Sequence, residues 1–425
     1  MSNEDQMNID ERRKYLRIKQ KQYAGADRAT KGRLLDEMEV VTELDRKTLI
    51  RLMHGDLVRT PRSRERDKTY GPEVDMALRI IYESADCICA ERLTPNLVWW
   101  ADHLAAHGEL HLTPTLRAQL AQISVPTVER HLSHIRRDLP RLPRPQPKPG
   151  RRALQHIPML RLPWDIEQPG HFEVDLVHHC GPTASGEYAY TLQMIDVATG
   201  WSERRAVLGR SFLVMEDAFR CILARLPFPV HEIHPDNGSE FLNHHLLRFW
   251  GEIVQGVTLS RSRPFHKNDN PRVEQKNYTL VRAYLGYVRF DSVVQVMALN
   301  ALYDKLWLYY NLFQPVMHLV EKEIIHADGQ PARVRRRHDQ AASPFDRLCQ
   351  TNAILPEHRA QLDALRHSIN PRRLREAIYD TIEEILTLPG ATPGVSENVH
   401  QTLARHHKGG DDLPSLTFNR TQIRD

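Results

Sequence analysis

Between Leu139 and Arg152 the chain reads LPRLPRPQPKPGRR, with prolines at 140, 143, 145, 147 and 149. Proline at that density removes backbone donors and favours extended polyproline conformation, so neither helix nor sheet runs through this stretch. Folded parts must therefore lie on either side of a tether, 139–165. Arg141, Arg144, Lys148, Arg151 and Arg152 give it five cations and no acid over Leu139–Arg152. Such a strand suits a run of phosphates. At roughly 150 residues per domain, 425 residues leave room for two to four domains.

Composition narrows the class. Apolar residues make up 41% and charged residues 26%, the balance of a globular protein rather than a disordered one. The longest run without Asp, Glu, Lys or Arg is Leu306–Val320, 15 residues, short of the roughly 20 that a spanning helix needs. No membrane partner is expected. The start, Met1 to Asp10, is acidic and polar, unlike a secretory leader, and five cysteines are too few for a disulfide framework. Net charge is 58 − 54 = +4, so only its distribution can point to a polyanion.

Before the tether the apolar spacing is helical. Residues 31–53 read as two short helices, with Leu34, Leu35, Met38 and Val41 on one stripe and Leu49, Ile50 and Met53 on the next. Thr42 and Asp45 resemble a capping box for the second helix. A second unit lies at 113–137. Thr113 and Pro114 make a cap and first-turn pair, and Leu116, Leu120 and Ile123 form its stripe. Ser124 opens the next helix, where Val125, Val128, Leu132 and Ile135 bury. Both units fit helix-turn-helix, whose second helix enters the DNA major groove. The candidate recognition helices, 45–53 and 125–137, offer Arg46, Lys47, Arg51, Arg130 and Arg137 to DNA. The expected domains are 1–60 and 61–138.

After the tether strands and helices alternate. HFEVDLVHH (171–179), YAYTLQMIDV (188–197), 201–208, VHEIHPD (230–236) and 256–260 read as strands. Residues 211–226, 239–253 and 271–289 read as helices, the last capped by Asn270 with Pro271 at its first position. Three strands followed by alternation predict a mixed sheet flanked by helices over 166–320. A small β and helical module follows at 321–388, with a basic strand at 332–340 and a helical pair split at Asn370–Pro371. Residues 389–425 read as a flexible tail.

Three acids sit where a hydrolytic metal site needs them: Asp175 in the first strand, Asp236 at the end of a later one, Glu274 in the first turn of a helix. Gathered carboxylates repel unless a cation neutralises them. All-oxygen ligands suit Mg²⁺, with Mn²⁺ as substitute, and two ions together serve phosphoryl transfer. HFEVDLVHH, HPDNGSEF (234–241) and NDNPRVEQKN (268–277), in this order and spacing, closely resemble the Asp-Asp-Glu core of retroviral-type integrases and bacterial insertion-sequence transposases. The resemblance covers about 165–315, and more weakly 12–385. It implies a ribonuclease H-like fold, catalytic metal on Asp175, Asp236 and Glu274, and cleavage to 3′-OH ends followed by joining to target DNA. It also implies phosphate contacts from Lys276 and Arg282, self-association into a dimer or larger assembly on DNA, and a cytoplasmic, nucleoid-associated life. Two alternatives remain open: a ribonuclease H-like nuclease that does not join, and a transposase-derived DNA-binding regulator. Asn237 is a turn residue or an aid to Asp236. Asp196 also ends a strand but falls outside the triad. Cys87 and Cys89 have no matching histidine pair, so no structural zinc is expected.

Overall fold

Three helices, α1 (Ile9–Gly25), α2 (Arg28–Thr42) and α3 (Arg46–His54), build the first of two units, Met1–Thr69. The computed structural model describes residues 7, 9–57, 70–138, 166–235, 241, 244–260, 270–325, 333–403, 417–418 and 422. The tether cations and Asp236–Asn237 lie outside these. Asp27 and Asp45 cap α2 and α3, accepting from the Thr30 and Thr48 amides. Thr42 does not take part in a cap. It is the last residue of α2 and its hydroxyl donates back to the Met38 carbonyl at 2.6 Å. Leu16, Tyr23, Leu35, Met38, Leu49, Met53 and Leu57 form the core of this unit. Val41 and Ile50, expected on the apolar stripes, are exposed instead.

The second unit, Tyr70–Asp425, starts with α4 (Pro72–Ser84), α5 (Ala90–Leu93), α6 (Leu97–Ala106), α7 (Pro114–Gln122) and α8 (Val125–Asp138). Thr113 caps α7 as expected, its hydroxyl accepting from the Leu116 amide. Next come β1 (His171–His178), β2 (Ala189–Asp196), β3 (Ser202–Leu208), α9 (Phe212–Arg225), β4 (Glu232–Pro235), α10 (His244–Arg248) and β5 (Thr258–Leu259). The sheet order is β3-β2-β1-β4-β5. β1, β2 and β3 pair antiparallel, whereas β4 runs parallel to β1 and β5 parallel to β4. A helical N-terminal region followed by this mixed five-stranded sheet is consistent with a ribonuclease H-like fold. Every residue of β2 is buried, because helices cover both faces of the sheet.

One continuous helical rod then crosses the sheet: α11 (Pro271–Lys276), a π-helical stretch Asn277–Arg282 and α12 (Ala283–Leu285). The long α13 (Val293–Phe313) opens with a full capping box between Ser292 and Gln295. It is buried almost all round, and its polar side chains show why. Asn300 exchanges two hydrogen bonds with the backbone of Ala206, and Asn311 two with Ser202. Arg225 donates to the Arg204 carbonyl between them. These groups satisfy the outer side of β3. On its other flank α13 holds the helical region 70–138. Tyr309 donates to the Ser84 carbonyl at 2.6 Å, Gln314 to Ala85 at 2.9 Å, and Trp99 and Trp100 pack on Phe313. Residues 70–138 are thus part of the same body as the sheet, not a separate domain.

The C-terminal part adds a hairpin of β6 (Leu319–Ile325) and β7 (Arg333–His338), then α14 (Pro344–Cys349), α15 (Pro356–Ser368) and α16 (Pro371–Thr387). Asn370 caps α16 through two amides. Residues 389–403, expected as part of a flexible tail, are instead laid down on α13. Ser292 donates to the Pro389 carbonyl, the Ala391 amide to Asp291, and the Val293 amide to Glu397. Among the described residues no helix is long and apolar enough to cross a membrane.

Candidate active site

In a strand, residues two apart share a face, so Glu173 and Asp175 of β1 point the same way. Both turn toward the rod that carries Glu274. One Asp175 oxygen accepts from the Asn277 side-chain amide at 2.6 Å, and the other from the Leu176 amide at 2.8 Å. Glu274 lies three residues before Asn277, on the same helical face. The bond from Asn277 therefore sets the Glu274 face of the helix over Asp175. Asp175 is half-buried and Glu274 exposed, so both carboxylates stand at the rim rather than inside the core.

Glu173 supplies the second anchor. It is only 2% exposed, yet one of its oxygens accepts from the Arg272 and Val273 amides, both at 2.8 Å. Its other oxygen faces the Arg272 guanidinium at 3.4 Å. A carboxylate on two amides of the first turn acts as the cap of the helix and meets its positive end. Burial raises its pKa, against the pull of those amides and of Arg272. Asn270, expected as the cap, makes no such bond. Its amide is buried with neither polar atom hydrogen-bonded, because the strand carboxylate already holds the amides it would have met.

The same face continues across the sheet. Asp175 pairs with Gln193 in β2, and Gln193 with Arg204 in β3, so the three side chains form a row under the rod. Gln193 is fully buried with neither amide atom hydrogen-bonded. Arg204 is 1% exposed, lies 5.9 Å from the rings of both Tyr303 and Tyr310, and donates only to the Leu280 carbonyl, at 3.4 Å.

No family model matches the chain. It is 36% identical over 326 residues to uncharacterized protein y4rM of Sinorhizobium fredii, an overlap of 76% of this chain and 91% of that protein. The chain belongs to the y4rM family. Among solved structures, the catalytic core domain of BIV integrase superposes with a TM-score of 0.23 at 17% identity, over 28% of this chain and 70% of that domain.

The remaining residues singled out in the sequence of this family member fall into distinct environments. Asp196 is fully buried and accepts from the Gly170 amide, the Thr199 amide and the Thr199 hydroxyl. It organises the turn after β2. Burial pushes its pKa up despite those three donors. His179 is buried against Phe290 with Nε2 on the Thr191 hydroxyl, and desolvation pushes its pKa down to about 3. Among the described residues no three His, Cys, Asp or Glu side chains gather as a metal site; the third expected acid, Asp236, is outside them.

Lys276 is half-buried with Nζ 5.0 Å from the Tyr310 ring. Arg282 donates to the Gly286 and His178 carbonyls and lies over the Tyr287 ring at 4.7 Å, which ties the rod to the end of β1. In α3, Arg46 pairs with Asp36 and reaches the Gly32 carbonyl, whereas Lys47 and Arg51 are exposed. Arg130 is exposed and bonds within its own helix, to the Pro126 carbonyl and Thr127 hydroxyl. Arg137 belongs to α8 by its backbone; its side chain is outside what is described.

Proposed function

We propose that this chain is a metal-dependent DNA transposase that binds transposon ends, cleaves to give 3′-OH ends and joins them to target DNA. The observation that carries the reading is the Asn277–Asp175 bond, which ties the strand acid to the helix that carries Glu274. Glu173 holds the same helix by its first turn. The quoted motifs around 175, 236 and 274 supply the third acid in the order the chemistry requires.

The donor chemistry fits a hard cation. Asp175, Asp236 and Glu274 are carboxylates, and Asn277 adds a buried carbonyl oxygen that has no hydrogen-bond partner. Mg²⁺, or Mn²⁺ in its place, would supply activation of the attacking oxygen and charge stabilisation of the leaving one, two ions being the usual number. The chain's own residues do the rest. Glu173 and Asn277 fix the helix that carries Glu274 against the strand that carries Asp175. Lys276, two residues after Glu274 on the same helix, would meet a phosphate of the bound strand. Lys47 and Arg51 on α3, and Arg130 and Arg137 on α8, offer base and phosphate contacts. Arg141, Arg144, Lys148, Arg151 and Arg152 add phosphate contacts without sequence preference. Paired ends call for a dimer or larger assembly on DNA.

Joining of a pre-cleaved end to plasmid DNA tests this, using end sequences taken from inverted repeats flanking the gene. In Mg²⁺ the full chain should join. Asp175→Asn, Asp236→Asn and Glu274→Gln should each lose about 10³-fold or more, roughly 4 kcal/mol of barrier, with DNA binding kept. Near-full joining by any one of the three overturns the triad. Cleavage without joining favours a nuclease, and binding without metal-dependent cleavage a regulator.

A further inference from the structure

A guanidinium taken out of water without a carboxylate partner is strongly unfavourable, and its charge must be met from elsewhere. Arg204 is such a group. Two of its nitrogens, Nε and Nη2, are buried with no hydrogen-bond partner, and its one bond is the long one to the Leu280 carbonyl. Its pKa is pushed down to about 10 by burial, against the influence of three tyrosines. The neighbouring pair makes the contrast plain. Glu203, next in the strand and on the opposite face, is matched by Arg225 at 2.8 Å, and Arg225 by Asp304 at 2.7 Å.

Arg204 faces the side of the sheet where the acids stand. It reaches Leu280 while Asp175 is held by Asn277, two points three residues apart on one helical rod. Only Gln193 separates them in the row across the sheet.

We propose that Arg204 is the built-in counter-cation of the acid site, a positioning residue that lets Asp175 and Glu274 gather before any metal arrives. The proposal rests on the acid-site reading above. Its balance is electrostatic: the fixed charge attracts the carboxylates and repels an incoming Mg²⁺. Removing it should therefore weaken the metal-free protein and strengthen the grip on metal, a pair of opposite effects that loss of packing does not give.

The test is thermal unfolding of the full chain with and without Mg²⁺. All six tryptophans lie beyond residue 69, so their fluorescence reports the second unit alone. Arg204→Met keeps the volume and removes the charge; Arg204→Lys keeps the charge. Added Mg²⁺ should raise the Tm of R204M by about 2–4 °C more than that of wild type, with a roughly tenfold lower half-saturating concentration. R204K should follow wild type. Without metal, Asp175→Asn should be more favourable by about 2–4 °C in the R204M background than alone. If R204M does not fold, adding D175N should recover it. Equal Mg²⁺ responses in wild type and R204M, additive effects of the two substitutions, or no recovery overturn the proposal. A wild type that shows no Mg²⁺ response counts against the metal-site reading instead, and the metal-free cycle still decides the coupling.

Discussion

Replacing Glu173 with alanine isolates what holds the helix that carries Glu274 in place. The carboxylate accepts from two amides at 2.8 Å, and their fates differ when it goes. Arg272 is half-buried, so its amide can turn to water. Val273 is fully buried, and an orphaned buried amide costs about 1–3 kcal/mol. Loss of a helix cap adds about 1 kcal/mol. Against this, removing a carboxylate whose burial already raises its pKa returns part of the desolvation penalty. The net should lie near the low end, about 2 kcal/mol, or roughly 4 °C in Tm by tryptophan fluorescence. Function should suffer more than stability. A shift of about 1 Å in Glu274 can lower the rate by about 10²-fold, so joining should drop by about that factor while end binding stays. Hydrogen exchange gives the direct readout: the amides of Arg272 and Val273 should lose protection together. Glu173→Gln keeps one oxygen able to accept both bonds and should lose less on every measure. If E173A kept amide protection at 272 and 273 and joined at the wild-type rate, Glu173 would not be holding the helix.

Other outcomes follow from single environments. His179 has its folded pKa, about 3, below its unfolded value, so the unfolded state takes the proton first as pH falls. Its share of stability is complete above about pH 6.5 and is lost toward pH 3, amounting to about 2 kcal/mol at pH 5; His179→Phe should flatten the acid limb of denaturant midpoints, and an unchanged limb refutes the assignment. Lys47→Gln with Arg51→Gln should weaken DNA binding and reduce the slope of log affinity against log salt by up to about 0.9 per lost phosphate contact. Arg46→Gln should leave that slope alone, because its guanidinium already sits on Asp36 and the Gly32 carbonyl; a slope change equal to that of the double variant contradicts this.

Local chemistry was readable where the relevant partner is a few residues away. Thr113 capping α7, the split between helices at Asn370–Pro371 and the strands within 171–208 all follow from short-range patterns. Reading failed where a distant group wins. Asn270 looks like the cap of the 271 helix, but Glu173, 97 residues earlier, occupies the amides. A signal for this was present: two acids spaced by one residue in a strand share a face, and on a covered sheet each needs its own partner. The merging of residues 70–138 with the sheet had no comparable sign, since it depends on Tyr309 and Gln314 reaching the backbone carbonyls of Ser84 and Ala85.

Asn300 and Asn311 carry a consequence for anyone cutting this chain into pieces. A fragment stopped just after the helix that carries Glu274, near residue 290, would retain all five strands and the acids. It would also strip the border of β3, leaving the backbone groups of Ser202 and Ala206 to recruit a strand from another molecule. The smallest soluble piece that holds the sheet and the acids should therefore run through Phe313, and truncations on either side of Asn311 should divide sharply between monodisperse and precipitating protein.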